Sequence, residues 1–327
     1  MGQALEPIVN LFRFHKLKML VVLLFAVVFS LWIFPSGDLS DIVSDQATRG
    51  SGMYIQLEGL SLAFNPGPGI HAENLVIEPP DMPAIDAASA EVYPSIIDAI
   101  LGKTAAAAYL SGLFKGDVSV DVSEGDKMKS GERVKNLTLV TERLDLSRVG
   151  DYMRDANMMN LELKGAMNLN TTMSIDPAFT NQPSGTAAVD IANFSLPAQT
   201  LQTQMGPIQT PPLALGKLSV QAKMNDGQLE LQEVNFGGAK DGLSGKVKGQ
   251  IVMNMRRVGA VVSPVIGNYK LGIDLTIPKS FMTSNPMIGG LLDGMVGKFK
   301  KETANEVRYT FAAQGVPGGV PIFTDKL

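Results

Sequence analysis

The sequence contains no cysteine and only two histidines, His15 and His71. Without cysteine there are no disulfides, thiolate metal sites or thiol nucleophiles, a composition that suits the periplasm but also occurs in cytosolic proteins. Two histidines supply too few ligands for most zinc sites, and they argue against a histidine general base. We therefore predict neither a metal site nor a cofactor.

Charge and catalytic motifs are also scarce. Charged residues make up 18% of the chain, and the net charge of −4 argues against a nucleic-acid partner. Gly102-Lys103-Thr104 resembles the end of a phosphate-binding loop, but Ile97 stands where its first glycine belongs. No G-x-S-x-G elbow or dinucleotide fingerprint occurs. A pair of carboxylates brought together by the fold, as in glycosidases, is the enzymatic alternative. We predict a non-enzymatic protein with no catalytic residues.

One long apolar run is present, from Met19 to Phe34, and basic residues precede it. As a helix it would measure about 24 Å, slightly less than the roughly 30 Å hydrocarbon core of a bilayer. Lys16 and Lys18 can reach one interface and Trp32 the other, so a single span is feasible. The predicted anchor residues are Met19, Leu20, Val21, Val22, Leu23, Leu24, Phe25, Trp32 and Phe34.

The basic flank predicts a cytoplasmic stub at residues 1–18 and a periplasmic body after the span, in a single-pass protein of a bacterial inner membrane. A cleaved signal peptide is the alternative, although no A-x-A cleavage site follows the apolar run.

Alternation of apolar and polar residues dominates the rest of the chain. From Leu243 to Met255 every second residue is apolar or glycine, which predicts a strand with one dry and one wet face. The same pattern fills residues 159–175. Asn225-Asp226-Gly227 predicts a hairpin turn, residues 176–184 predict a second one, and a phase shift at Gln232-Glu233 predicts a β-bulge.

These patterns predict a mainly β protein with a few short helices, built on a long-stranded, antiparallel, curved sheet that is taco- or groove-like and follows one N-terminal transmembrane helix. Residues 35–52 are predicted to be a linker or a short helix, and residues 315–327 a Pro/Gly-rich tail. The β-rich domain covers residues 53–314, with possible halves at 53–195 and 214–314 joined by an irregular crossing.

The concave dry side can be covered by the chain's own helices, which is the first expectation, by another sheet, or by lipid. Only four short or weak helices are predicted for some ten strands, which keeps the other two covers open. Several of the 17 methionines fall on these faces, and methionine tolerates irregular or lipid-like partners, although ordinary core filling is the alternative. The candidate apolar groove residues are Leu161, Leu163, Met167, Leu169, Val247, Ile251 and Met253.

Three stretches resemble a known family: MYIQLEGLSLAFNPG (53–67), AIDAASAEVYPSIIDAILG (84–102) and LSGKVKGQIVMNM (243–255). Together with the basic stub and the apolar run, they resemble the long form of the type II secretion system protein N family (general secretion pathway protein N). The same elements are similar to the AsmA and TamB superfamily of periplasmic lipid-handling proteins. The resemblance spans roughly residues 52–313 and rests on pattern and order.

Membership in the N family would imply a non-enzymatic accessory component of the type II secretion apparatus that binds the secretin or an inner-membrane platform. The N family has no catalytic residues to transfer. Its short classical members have less periplasmic chain than this sequence. The lipid-handling resemblance instead implies that strand meanders form a taco-shaped groove for binding or transfer of phospholipid. We therefore expect the accessory role, with lipid binding or transfer as the alternative.

Overall fold

The computed structural model describes residues 36–65, 67–80, 82–127, 133–156, 162–203, 206–238, 241–258 and 261–325. The predicted cytoplasmic stub and the predicted anchor at 19–34 lie outside these ranges. Within them, no helix has both the length and the apolar character that crossing a bilayer requires.

Strands make up most of the described chain, so the predicted β-rich class is confirmed. They are β1 (Tyr54–Glu58), β2 (Ser61–Ala63), β3 (Gly69–Ala72), β4 (Asn74–Glu78), β5 (Ile85–Ala87), β6 (Ser89–Pro94), β7 (Ala105–Leu113), β8 (Gly116–Lys127), β9 (Arg133–Asp145), β10 (Lys164–Ile175), β11 (Ser184–Leu196), β12 (Gln199–Thr203), β13 (Gly206–Thr210), β14 (Leu213–Asn225), β15 (Gln228–Phe236), β16 (Ser244–Val258), β17 (Val261–Pro278), β18 (Lys300–Glu302), β19 (Glu306–Gly315) and β20 (Ile322–Thr324).

Apart from the sixteen-residue helix Ser36–Ser51, the helices of the described residues are short, as predicted. They are α1 (Ser36–Ser51), α2 (Ile96–Ile100), α3 (Leu146–Asp155), α4 (Lys279–Ser284) and α5 (Pro286–Val296), followed by a 3-10 turn at Gly297–Phe299.

One antiparallel sheet of fifteen strands, the main sheet, organises the structure. Its order is β18-β19-β17-β16-β15-β14-β11-β10-β9-β8-β7-β6-β3-β2, and β20 also pairs with β19. A small sheet has the order β1-β4-β5, and β12 pairs with β13. Most neighbours in the main sheet are also neighbours in sequence, because short turns favour antiparallel pairing.

Both predicted hairpins are confirmed by the pairing of β10 with β11 and of β14 with β15. The predicted bulge is confirmed as well. Leu231 and Glu233 face consecutive residues of β14, Ala222 and Gln221, so Gln232 is the extra residue. Because the apolar phase of the sequence shifts at the same place, the dry face of β15 is preserved.

Two segments are more regular than the sequence indicated. The stretch 196–213, expected to be an irregular crossing, holds the β12–β13 hairpin, and β11 pairs directly with β14, so the two possible halves share one sheet. The charged stretch 123–127 continues β8, because β9 supplies it with a pairing partner. In the expected tail, residues 322–324 pair with β19 as β20.

The expected linker at 35–52 is the sixteen-residue helix α1. Three hydroxyl side chains on one side of α1 accept hydrogen bonds from backbone N–H groups of the first strand segment: Ser40 from Leu60 (3.4 Å), Ser44 from Leu57 (2.9 Å) and Thr48 from Ile55 (2.9 Å). The helix therefore supplies hydrogen-bond acceptors to backbone N–H groups along the edge of β1 that has no partner strand in the small sheet.

Asn285 precedes α5 and Pro286 opens it, and the Asn285 side chain donates to the carbonyl of Phe281 (3.0 Å) and not into α5. The reason is that α4 ends immediately before α5, so the Phe281 carbonyl, which also accepts the backbone N–H of Asn285 (3.0 Å), lies within reach. Lysines follow Val296 in the 3-10 turn and in β18.

Two buried clusters lie at opposite ends of the main sheet. The C-terminal cluster, which lies under α4 and α5, contains Ile277, Val296, Val307, Tyr309, Phe311 and Ala313. The N-terminal cluster, where the small sheet meets β3 and β6, contains Leu60, Ala72, Leu75, Ala87 and Ala90. Second layers thus cover the sheet at its two ends.

The turn between β10 and β11 depends on one buried carboxylate. Asp176 is 5% exposed and accepts hydrogen bonds from the backbone N–H groups of Ala178 (3.0 Å) and Asn181 (2.9 Å) and from the hydroxyl of Thr180. These bonds, that of Thr180 first, lower the pKa of Asp176 to about 2 from an ordinary 3.8.

A depressed pKa stabilises the fold above the unfolded value, and this contribution is lost as pH falls through the folded value. The Asp176→Ala variant should therefore unfold at lower urea concentration than the parent chain at pH 5 to 7. The difference should shrink between pH 4 and pH 2. Urea titrations across this range measure it, and a difference that stays constant down to pH 2 would contradict the assignment.

Candidate functional site

The register of the main sheet aligns apolar side chains in rows that run across the strands. In antiparallel pairs, directly opposed residues share a face and their Cβ atoms lie about 5 Å apart. One row takes a residue from each of fourteen strands, and one member is polar. Its members are Leu62, Ile70, Val92, Ala108, Val120, Leu139, Thr171, Ala187, Ala222, Leu231, Gly249, Leu271, Ala313 and Phe323.

Three further rows lie on the same side, two residues apart along each strand except at bulges. The second row is Ala72, Ala90, Leu110, Val118, Thr141, Leu169, Val189, Val220, Val234, Val247, Ile273 and Phe311. The third is Pro94, Ala106, Val122, Leu137, Met173, Gly185, Met224, Leu229, Ile251, Tyr269 and Gly315. The fourth is Leu144, Met167, Ile191, Leu218, Phe236, Gly245, Leu275 and Tyr309. We call this side of the main sheet the apolar face.

The two threonines of these rows direct their hydroxyl groups to the backbone. Thr141 is buried, and its hydroxyl accepts a hydrogen bond from the N–H of Leu169 at 3.0 Å. The Thr171 hydroxyl donates to the carbonyl of Thr186 at 2.8 Å. Both polar groups are therefore satisfied within the sheet, and the rows remain apolar towards whatever lies above them.

Neighbouring strands supply the main contacts in the middle of the apolar face. In the part of the chain that the structure describes, β11, β14, β15 and β16 make their main contacts with neighbouring strands, while α3 contacts β9 and β10, and α4 contacts β17. Many large side chains of the middle are half-buried, among them Leu139, Leu169, Val189, Val220 and Val247. Cross-strand neighbours shield them from the sides.

The opposite face of the sheet carries charge. Lys217 Nζ lies 2.9 Å from Asp190 Oδ1, and Arg308 donates to both carboxylate oxygens of Asp274. These bonds from Arg308 hold the pKa of Asp274 below its ordinary value. Such pairs are exposed and contribute little stability, but they show which side of the sheet faces water.

Most of the predicted groove residues lie on the apolar face. Met167, Leu169, Val247 and Ile251 belong to its rows, and Met253 continues β16 opposite Ile266. Leu163 is half-buried just before β10. The predicted residues outside the described ranges are Leu161, Met19, Leu20, Val21, Val22, Leu23, Leu24, Phe25, Trp32 and Phe34.

The groove residues predicted from the sequence include none from the strands before β10. Val118, Val120 and Val122 nevertheless alternate with polar residues, which indicates a strand with one apolar side. Alternation identifies the dry side of one strand, but it does not show which strands lie side by side. The pairing of β8 with β7 and β9 decides that.

Among the residues that the structure describes, no group of three or more histidine, aspartate or glutamate side chains is placed to hold a metal ion. No family model, curated protein or solved structure matches this chain.

Replacing one apolar side chain in the open middle should be tolerated far better than the same change in a covered cluster. We expect Val247→Asp to fold with a loss of about 1 kcal/mol, since the new carboxylate can remain hydrated. Ile277→Asp should fail to accumulate, because Ile277 is 1% exposed and an unpaired buried charge costs several kcal/mol.

Soluble yield and the thermal unfolding midpoint of the two variants measure this difference. Lys248→Asp, on the exposed opposite face of the same strand, controls for the added charge. Equal loss of folded protein for Val247→Asp and Ile277→Asp would show that the middle of the face is packed like a core.

Proposed function

We propose that this chain binds the acyl chains of lipids along the apolar face, as a non-enzymatic, periplasm-facing protein of a bacterial inner membrane. The observation that carries the proposal is the continuity of the apolar rows across the main sheet, combined with middle strands that, in the described part of the chain, make their main contacts with other strands. An apolar surface of this size normally serves as an interaction site.

The number of strands supports a groove. Strands in a sheet are rotated by about 20 to 25° relative to their neighbours, and sheets of more than about ten strands tend to curl. The path of fourteen strands would extend roughly 60 Å at about 4.8 Å per strand. We propose that the sheet curls with its apolar face inward, so that this face lines a taco-shaped groove open along one side.

The side chains of the face suit acyl chains better than a rigid ligand. Leucine, valine and methionine offer non-directional contacts, and methionine adapts to irregular partners. Each methylene group removed from water contributes about 0.8 kcal/mol, so a chain of ordinary length binds without any specific hydrogen bond. The charged opposite face keeps the outside of the groove hydrated, and the lipid headgroup would remain at the open side.

Photo-crosslinking in cells tests the proposal on the full chain. A photoreactive amino acid at Leu169 or at Val247 should form covalent lipid adducts, detected by mass spectrometry of the purified protein. The same amino acid at Asn170 or Lys248, the next residues on the same strands, should form none, because these side chains lie on the opposite face. Equal lipid labelling at all four positions, or labelling by protein alone, would contradict the proposal.

A second candidate function is the accessory role in type II secretion that the family resemblance implies. The observation that favours it is a stripe of exposed apolar residues on the outer side of α5, at Met287, Leu291 and Met295. Their spacing of four residues places them on one side of the helix. Such a stripe suits docking to a protein partner.

Deletion of the gene separates the two candidates. Under the accessory role, export of folded proteins through the secretin should fail in the deletion strain and should return when the chain is supplied again. Under lipid binding alone, export should continue. Normal export in a clean deletion would reject the accessory role.

A further inference from the structure

The loop between β6 and β7 exposes a concentration of aliphatic side chains. It contains α2, none of whose residues is buried. Ile97 is 73% exposed and Ile100 is 79% exposed, and Ile96 and Leu101 are also exposed. Large aliphatic side chains that are exposed together mark an interaction surface.

The end of β2 adds to this surface. Phe64 is 73% exposed and Leu62 is 43% exposed. The Tyr93 hydroxyl, two residues before Ser95, lies 2.6 Å from the carbonyl oxygen of Asn65, so the residues after β2 adjoin the chain that leads into α2. We call these residues the tip patch: Leu62, Phe64, Ile96, Ile97, Ile100 and Leu101.

The carboxylate of α2 is engaged in a hydrogen bond within the same loop. Asp98 is the one charged residue between Ser95 and Gly102. The Ser95 hydroxyl donates to Asp98 Oδ2 at 2.6 Å, and the Asp98 backbone N–H donates to the Ser95 hydroxyl oxygen at 3.3 Å. This local cap fixes the short helix and engages its carboxylate, so the exposed part of the loop is largely hydrocarbon.

The first turn of α1 lies beside the chain that leads into the tip patch. The hydroxyl contacts of α1 run antiparallel to the first strand segment, with Thr48 beside Ile55 and Ser40 beside Leu60, two residues before Leu62. Ser36 lies one turn, about 6 Å, before Ser40. The 35 residues that precede α1, which include the apolar run 19–34, therefore connect to the body about one turn from the contact of Ser40 with Leu60.

We propose that the tip patch inserts into the surface of the lipid bilayer that holds the N-terminal apolar run. A bilayer fits the patch because its contacts are non-directional and its side chains are aliphatic or phenyl groups. This inference extends the proposed function, because Leu62 also begins the longest row of the apolar face. An acyl chain that leaves the bilayer at the tip patch would meet Leu62, Ile70 and Val92 without crossing water.

Because the chain contains no cysteine, a single introduced cysteine can be labelled specifically. Ile97→Cys in the full chain is labelled with an environment-sensitive fluorophore and incorporated into vesicles of phosphatidylethanolamine and phosphatidylglycerol. Lipids that carry a spin label on the acyl chain should quench this fluorophore several-fold more strongly than one at Tyr54→Cys. Tyr54 is a matched control because it is exposed and lies beside the far end of α1.

Changes elsewhere in the tip patch then test insertion itself. Ile100→Ser with Leu101→Ser should reduce the quenching at position 97 at least about threefold, since two aliphatic side chains that enter the bilayer under this proposal are lost. Met287→Ser with Met295→Ser, which removes exposed apolar side chains from α5, should leave it unchanged. Circular dichroism confirms that each variant is folded.

Three results would overturn the inference: equal quenching at positions 97 and 54, quenching that survives the tip-patch double variant, or a label at position 97 that is shielded from aqueous iodide but not quenched by lipid. The last result would indicate a protein partner. Lipid adducts at Leu169 in the parent chain, compared with quenching at position 97, separate the two proposals. Their presence without quenching rejects membrane insertion alone, and quenching without adducts at Leu169 in the parent chain rejects the lipid-binding groove alone.

Discussion

The antiparallel register of the main sheet is the constraint on which the other features depend. A slip of one residue in any pair would move the apolar side chains of that strand to the charged face. The chain preserves the register even where strands are irregular. In β15 the extra residue Gln232 coincides with the change of phase between Leu231 and Val234, so both side chains remain on the apolar face. A similar register shift lies between Ile251 and Met253 of β16, and both residues keep partners in β17, Tyr269 and Ile266.

The two ends of the main sheet differ from its middle in how their apolar side chains are buried. At the C-terminal end, α5 covers Ile277 and Tyr309, and at the N-terminal end the small sheet covers Ala72 and Ala90. These layers bury enough apolar surface to hold the ends of the sheet together. In the middle, neighbouring strands make the main contacts and many large side chains are only half-buried. This incomplete burial is why the middle is the candidate functional site.

Glycine shapes the apolar face in two different ways. A Cβ on Gly245 would lie 2.5 Å from the ring of Phe236, so that ring occupies the space where a side chain would stand. Gly249 has a φ of +147°, and a Cβ there would lie 2.1 Å from the carbonyl oxygen of Lys270. The first glycine makes room for an aromatic ring, and the second permits a backbone conformation that other residues rarely adopt. Both glycines belong to rows of the apolar face, and neither adds a polar side chain to it.

Local patterns in the sequence are sufficient to predict the β-rich class, the dry and wet sides of individual strands, the two hairpins and the bulge at Gln232. These features are local, since alternation and turn residues act over a few positions. The folded chain is needed to show that β11 pairs with β14, that β8 and β10 contribute to the same rows, and that α1 covers the edge of β1. It also shows that Ile97 and Ile100 are exposed, which their apolar character would not suggest. Pairing and exposure depend on residues far apart in the chain, so no local pattern specifies them.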